Sequence, residues 1–371
     1  MSNSGLLSRD VWNILGLPFD NINLNESAKY VGNAVESRDP CFISTPNLNF
    51  VVATQSDLSF YQSVIESDLS LADGMPLIWV AKLLNIPITE RVAGSSLFDK
   101  LAQGENTKNK IKVFFFGGQE GIAETAHQQL NQNANGMECC GHYDPGFVTV
   151  DEMSSPTIID TINATQPDFI VVALGAKKGQ QWIQQNRSHL TAPIISHLGA
   201  VINFVAGYVE RAPKFWQNTG LEWLWRIKQE PALWRRYLFD GIAFLKLISF
   251  NILPLAMMDG WLKRTNAYHQ KFELRIAHKT GTLVALSGSL KYSELFQVKE
   301  LLENELAKNK DGDVEIDCSE LSYIDGAFIA SLLLFQHYLN EQQRQLYLSN
   351  VPDTINRLLA LNNVIKRFQY N

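Results

Sequence analysis

The sequence predicts two α/β units in series, and three features predict them. Over residues 41–207, short continuous apolar runs alternate with helix-like stretches, the pattern of buried parallel strands joined by helices. A basic, tryptophan-rich stretch then breaks that pattern. About a hundred further residues repeat a β/α alternation of their own. A chain of 371 residues, 46% of them hydrophobic, is long enough to bury two such cores.

In the first unit, Cys41–Ser44, Val113–Phe116, Phe169–Leu174 and Ile194–Leu198 read as strands. The run at Val113 leads into Gly117-Gly118-Gln119-Glu120-Gly121 and then a helical pattern over Ile122–Leu130. The run at Phe169 ends on Gly175, ahead of a helix near Gln180–Leu190. Glycines at the carboxyl ends of parallel strands are where open α/β sheets hold ligands, often with phosphate at the next helix N-terminus. Taken alone, the Gly117–Gly121 loop is weak, because it lacks the lysine and spacing of a Walker loop.

The formal net charge of −6 excludes a cationic surface for non-specific nucleic-acid binding. Its distribution says more. Gly207–Lys271 holds ten Lys or Arg against five Asp or Glu, a local +5 that leaves −11 for the remainder. Five of the eight tryptophans (Trp216, Trp223, Trp225, Trp234, Trp261) fall in the same stretch. Its apolar part, Tyr237–Met258, is interrupted by Asp240, Lys246 and Pro254, and reads as too short and broken to cross a bilayer. A basic amphipathic segment with tryptophans suits a membrane surface. Packing against the sheet or a subunit partner is the other reading.

Cys41, Cys139, Cys140 and Cys318 form no CxxC pair and read as reduced thiols of a cytoplasmic protein. Residues 1–10 carry no basic region followed by an apolar run, so no secretory signal is expected there. His127, His142, His189 and His197 are scattered, with no metal-ligand spacing. Neither a metal nor a cofactor is expected.

The most specific stretch is Leu71-Ala72-Asp73-Gly74-Met75-Pro76, followed by Glu90-Arg91-Val92-Ala93-Gly94. A carboxylate at a strand-to-helix turn is where a base can approach a substrate, although an isolated Asp-Gly is more often only a turn. Here it has company in order: Ser44-Thr45-Pro46-Asn47, Phe116-Gly117-Gly118, Pro167–Gly175, Trp182-Ile183, Gly207, Arg211-Ala212-Pro213 and Glu222–Arg226. With these motifs, residues 10–245 resemble the TagA/CpsF/WecG family of glycosyltransferases.

That resemblance implies a Rossmann-like parallel sheet over residues 1–206 and a basic helical appendage over 207–264. It implies a UDP-sugar donor, often of the N-acetylmannosamine type, and an acceptor sugar on a polyprenyl diphosphate. Transfer would invert the anomeric carbon without a metal, on the inner face of the plasma membrane, in exopolysaccharide, capsule or wall-polymer assembly. Asp73 would be the general base, with Thr45 and Asn47 beside it and Arg91 meeting the donor diphosphate. Gly117, Gly118, Gly175, Lys178 and Gln180 would line the donor side, and Arg211 and Arg226 would come from the appendage. One departure stands out. Where the family continues from Gly175 with a Pro-Lys-Gln-Glu run, this chain has Lys177-Lys178-Gly179-Gln180, which reads first as a shifted sugar preference, with reduced or lost activity and harmless drift as the other readings. The rival is a catalytically weak, nucleotide-sugar-sensing scaffold.

Residues 272–371 resemble a STAS domain through Ser287-Gly288-Ser289-Leu290, Val314–Asp325, the apolar helix after it, and Leu346–Val351. Expected strands are Leu283–Leu286, Val314–Ile316 and Gln345–Leu348, with helices over Leu295–Leu306, Phe328–Leu339 and Ile355–Leu361. Signalling members carry Ser or Thr directly after the aspartate. Here Gly326 and Ala327 follow Asp325, so a constitutive docking or self-association module is expected instead of a phosphorylation switch.

Overall fold

The structure, a computed structural model, describes residues 9–104, 109–278, 282–308 and 312–371. Residues 1–8, where no signal is expected, lie outside that range. The chain divides into two compact units. One comprises Ile22–Ile78 and Thr89–Gly241; the other comprises the N-terminal residues to Asn21, Trp79–Ile88 and Ile242–Asn371.

The first unit is built on a six-stranded, wholly parallel sheet. Its strands lie in the order Leu69–Ser70, Cys41–Ser44, Ile194–His197, Phe169–Ala173, Ile111–Gly117, Met137–Tyr143. Every residue of Phe169–Ala173 is buried, because helices cover both faces. Alternation divides the strand at Val113 between two cores. Val113 and Phe115 join Ile43, Val171 and Ile194 on one face, while Phe114 and Phe116 join Phe42, Val172 and Trp182 on the other. Helix Leu24–Ser37 starts at a capping box in which Asn23 accepts from Glu26 N–H and the Glu26 carboxylate accepts from Asn23 N–H. This is the parallel α/β sheet that the apolar runs predict and the Rossmann-like fold that the family resemblance implies.

The second unit holds a mixed five-stranded sheet in the order Gln369–Tyr370, Leu346–Ser349, Val314–Ile324, Thr282–Leu290, Glu273–His278. Only the last pairing is antiparallel. Helix Gly326–Glu341 is buried along most of its length, and Asp325 caps it by accepting from Ala327 and Phe328 N–H, both at 3.0 Å. The N-terminal hairpin Val11–Ile14/Leu17–Asp20 packs on this helix. Its two-residue turn, Leu15-Gly16, has φ of 55° and 96°, the twist-matched turn of tight hairpins.

Pro231–Leu262 forms one continuous helix of 32 residues, so Asp240, Lys246 and Pro254 do not break it as the sequence suggests. A π segment, Ile248–Ile252, precedes Pro254 and absorbs the backbone hydrogen bond that proline cannot make. By length and hydropathy the helix could cross a membrane, and only 11% of its most apolar stretch is buried. One side is nevertheless held by protein. In the first unit Asp240 accepts from Asn49 Nδ2 at 3.1 Å. In the second, Ile252, Leu255 and Leu262 are core residues and Asn251 donates to Asn363 Oδ1 at 3.0 Å. Phe239, Leu245, Phe250, Met257 and Trp261 are exposed.

Candidate active site

Beyond the end of the Cys41–Ser44 strand, three extended segments continue side by side. Leu71 N–H donates to Ser44 O at 2.9 Å, Asp73 N–H to Pro46 O at 3.0 Å, and Val92 N–H to Ala72 O at 3.0 Å. Leu71, Ala72, Val92 and Ala93 are buried apolar residues that fix this backbone to the core. The segments therefore bring Thr45, Asn47, Asp73 and Arg91 to one end of the sheet. Thr45 is buried, and a Cβ on Gly94 would come within 3.3 Å of its side chain, so glycine permits this close approach. Asn47 is also a helix cap, its Oδ1 accepting from Phe50 N–H at 3.3 Å.

Asp73 and Arg91 meet directly. Arg91 Nε donates to Asp73 Oδ1 at 3.2 Å, and its Nη1 donates to Glu222 Oε2 at 2.5 Å. All three side chains are mostly enclosed, with exposures of 25%, 17% and 20% for Asp73, Arg91 and Glu222. Burial pushes the Asp73 carboxyl above its ordinary range; the Arg91 cation opposes that shift and the Glu222 charge adds to it. For Arg91, burial acts against the charged form, and the two carboxylates more than offset it. A carboxylate kept more basic than usual beside a fixed cation can accept a proton next to a departing negative charge.

Gly117 and Gly118 end the Ile111–Gly117 strand with φ of 93° and 102°. A Cβ on Gly117 would lie 2.8 Å from the Ala173 carbonyl oxygen, so only glycine lets this loop sit against the neighbouring strand. Gly175 begins helix Ala176–Asn186, with no side chain capping it and open space around it. His197 Nε2 donates to the Leu174 carbonyl at 2.6 Å just before this turn, and burial lowers its pKa. Lys178 donates to Val148 O at 2.5 Å. Gln180 is buried, donating to Ser44 Oγ at 2.9 Å.

The appendage arginines are placed differently. Arg211 is engaged by Asp99 and, at 3.0 Å, by Ser96 Oγ of helix Gly94–Ala102. Arg226 pairs with Glu230 one turn along at 3.7 Å. The appendage residue that reaches Arg91 is Glu222, which the sequence offers only as part of a motif. His127 and His142, scattered in sequence, also meet, with Nδ1 atoms 3.3 Å apart.

The family model described as "Glycosyl transferase WecG/TagA/CpsF family" matches residues 12–255, and the model described as "Mlab, STAS domain" matches 274–366. A Bacillus spizizenii protein named N-acetylglucosaminyldiphosphoundecaprenol N-acetyl-beta-D-mannosaminyltransferase is similar, at 31% identity over 197 residues, 51% of this chain and 74% of that protein. A Staphylococcus aureus (strain MW2) protein of the same name is 24% identical over 253 residues, 68% of this chain and 94% of its own length.

Proposed function

The chain belongs to the WecG/TagA/CpsF family of glycosyltransferases, and from that premise we propose that it moves N-acetylmannosamine, or a close analogue, from a UDP-sugar to N-acetylglucosamine on a polyprenyl diphosphate. The relatives' names carry the acceptor and the sugar. The observation that carries the chemistry is the enclosed Asp73–Arg91 pair at the end of the parallel sheet.

In this reading Asp73 takes the proton from the acceptor hydroxyl as its oxygen attacks the anomeric carbon. The bond from that carbon to the β-phosphate oxygen breaks on the opposite side, inverting the centre. Arg91 meets the charge that develops on the leaving diphosphate, so no metal is required for that task. Thr45 and Asn47 border the acceptor side. Gly175, at the uncapped start of helix Ala176–Asn186, leaves that helix N-terminus open to phosphate, with Gly117, Gly118, Lys178 and Gln180 bordering the donor and Arg211 and Arg226 supplied from the appendage. The test is transfer by the purified protein from a panel of UDP-sugars to a diphosphate-linked lipid acceptor. Hydrolysis without transfer, or no reaction, would favour the sensing scaffold.

A lipid-linked acceptor also gives the long helix a role. Its covered side lies against protein, so the opposite stripe, with Phe239, Phe250 and Met257, suits lying along the cytoplasmic membrane face more than crossing it. Exposed Arg235 and Arg236 near its start suit anionic headgroups. The STAS unit would bind a protein partner or a second copy.

A further inference from the structure

Arg91 is shared by two carboxylates that belong to different parts of the transferase unit. Asp73 lies on the loop beyond the sheet, and Glu222 is the first residue of the appendage helix Glu222–Gln229. The sharing is unequal: the contact to Glu222 is 2.5 Å and charge-assisted, that to Asp73 is 3.2 Å through the single Nε. Glu222 therefore draws the guanidinium toward the appendage and leaves Asp73 Oδ2 without a bond from Arg91. We infer that Glu222 is a positioning residue of the transfer reaction: it holds Arg91 partly away from Asp73, so that the carboxylate stays free to take the acceptor proton. The inference rests on Asp73 being the base.

Electrostatics point the same way. Among the described residues, Arg91 and Glu222 are the charged groups with the largest influence on Asp73, with opposite signs, and the Gly94 backbone N–H also donates toward its carboxylate. Removing the Glu222 charge leaves the Arg91 cation unopposed by it. Asp73 would then ionise more readily and become a weaker base. The same change strips Arg91 of a competing anion, so the donor diphosphate would find a less neutralised guanidinium. Losing Glu222 should lower turnover while tightening donor binding. A merely structural loss would weaken both.

The experiment compares Glu222→Gln and Glu222→Ala with the full-length wild type by pH profiles of kcat/KM and by the split between kcat and donor KM. The expected result is an acid limb displaced to lower pH in both variants, with donor KM reduced. Plateau kcat should fall by about 3- to 10-fold, well short of the ~10²–10⁴ of removing a base. Glu222→Asp, which keeps the charge, should restore the wild-type limb. Limb position is read against each variant's own plateau, so a partly folded preparation still reports it. An unmoved limb in both variants, or a raised donor KM with falling kcat, overturns the inference. Asp73→Asn measured in parallel separates the two claims. If it turns over freely, the base assignment fails. If it is inactive while the Glu222 limbs do not move, only the role of Glu222 fails.

Discussion

Replacing Asp73 by Asn removes the proton acceptor and keeps the shape of the side chain, and it should move activity and stability in opposite directions. Loss of a general base typically slows transfer by about 10² to 10⁴, or roughly 3 to 5 kcal/mol of transition-state stabilisation. Stability follows from the raised carboxyl. A group whose folded pKa lies above its unfolded value contributes stability that is complete below the unfolded pKa, near 4, and is lost as pH rises through the folded value. At neutral pH the wild type bears the cost of an enclosed charge, whereas the amide does not. Arg91 keeps Glu222 in the variant, so no cation is stranded. The variant should therefore melt no lower than the wild type at pH 7.5, compare less favourably at pH 4, and bind UDP nearly as well. UDP release and transfer report activity; thermal melting at the two pH values reports stability. Undiminished turnover would remove Asp73 from the mechanism, and a large loss of stability at pH 7.5 would contradict the electrostatic account of the site.

Four further outcomes follow from the same structure. EDTA should leave the rate unchanged, because Arg91 meets the leaving-group charge; strict Mg²⁺ or Mn²⁺ dependence would refute that. Gly117→Ala should destabilise by about 2 kcal/mol or more, since a φ of 93° and a Cβ 2.8 Å from the Ala173 carbonyl both oppose a side chain, and a melting temperature equal to wild type would contradict it. Replacing Phe239, Phe250 and Met257 together by Ser should abolish flotation with anionic liposomes at low salt, and Arg235→Gln with Arg236→Gln should weaken it by about 1 kcal/mol per charge; unchanged flotation in both would end the membrane reading. In the second unit, burial pushes Asp325 up to about 6 against the pull of the Phe328, Tyr292 and Ala327 N–H groups. Stability from this group is complete below about pH 4 and lost as pH rises through 6, so Asp325→Asn should gain on the wild type by on the order of 3 kcal/mol between those limits. A pH-independent difference in melting would refute it.

The sequence makes legible those elements whose burial is continuous. Cys41–Ser44, Phe169–Ala173 and Ile194–His197 are runs with almost no exposed position, and the structure keeps them within a residue or two. The edge strands are hidden for the converse reason. Met137–Tyr143 carries Glu138 and His142 outward and shows no apolar run, and Glu273–His278 pairs on one side only. The hairpin Val11–Asp20 gains its burial from helix Gly326–Glu341, about three hundred residues later, which no local pattern can announce. In the site, Asp73 and Arg91 enter through the order of motifs, because eighteen residues of spacing do not by themselves bring two side chains together. Glu222 is harder still to foresee, since its contact with Arg91 spans 131 residues. His127 and His142 meet only because a helix returns beside the edge strand.

The claim that this chain transfers a sugar with inversion to a lipid-linked acceptor is tested most directly by the product itself. Purified enzyme with UDP-N-acetylmannosamine and N-acetylglucosaminyl diphosphopolyprenol, in the presence of EDTA, should yield a lipid-linked disaccharide. Its new linkage should have the anomeric configuration opposite to the donor's, by NMR. Retention at that carbon, or release of free sugar with no disaccharide from any UDP-sugar tried, would contradict the account.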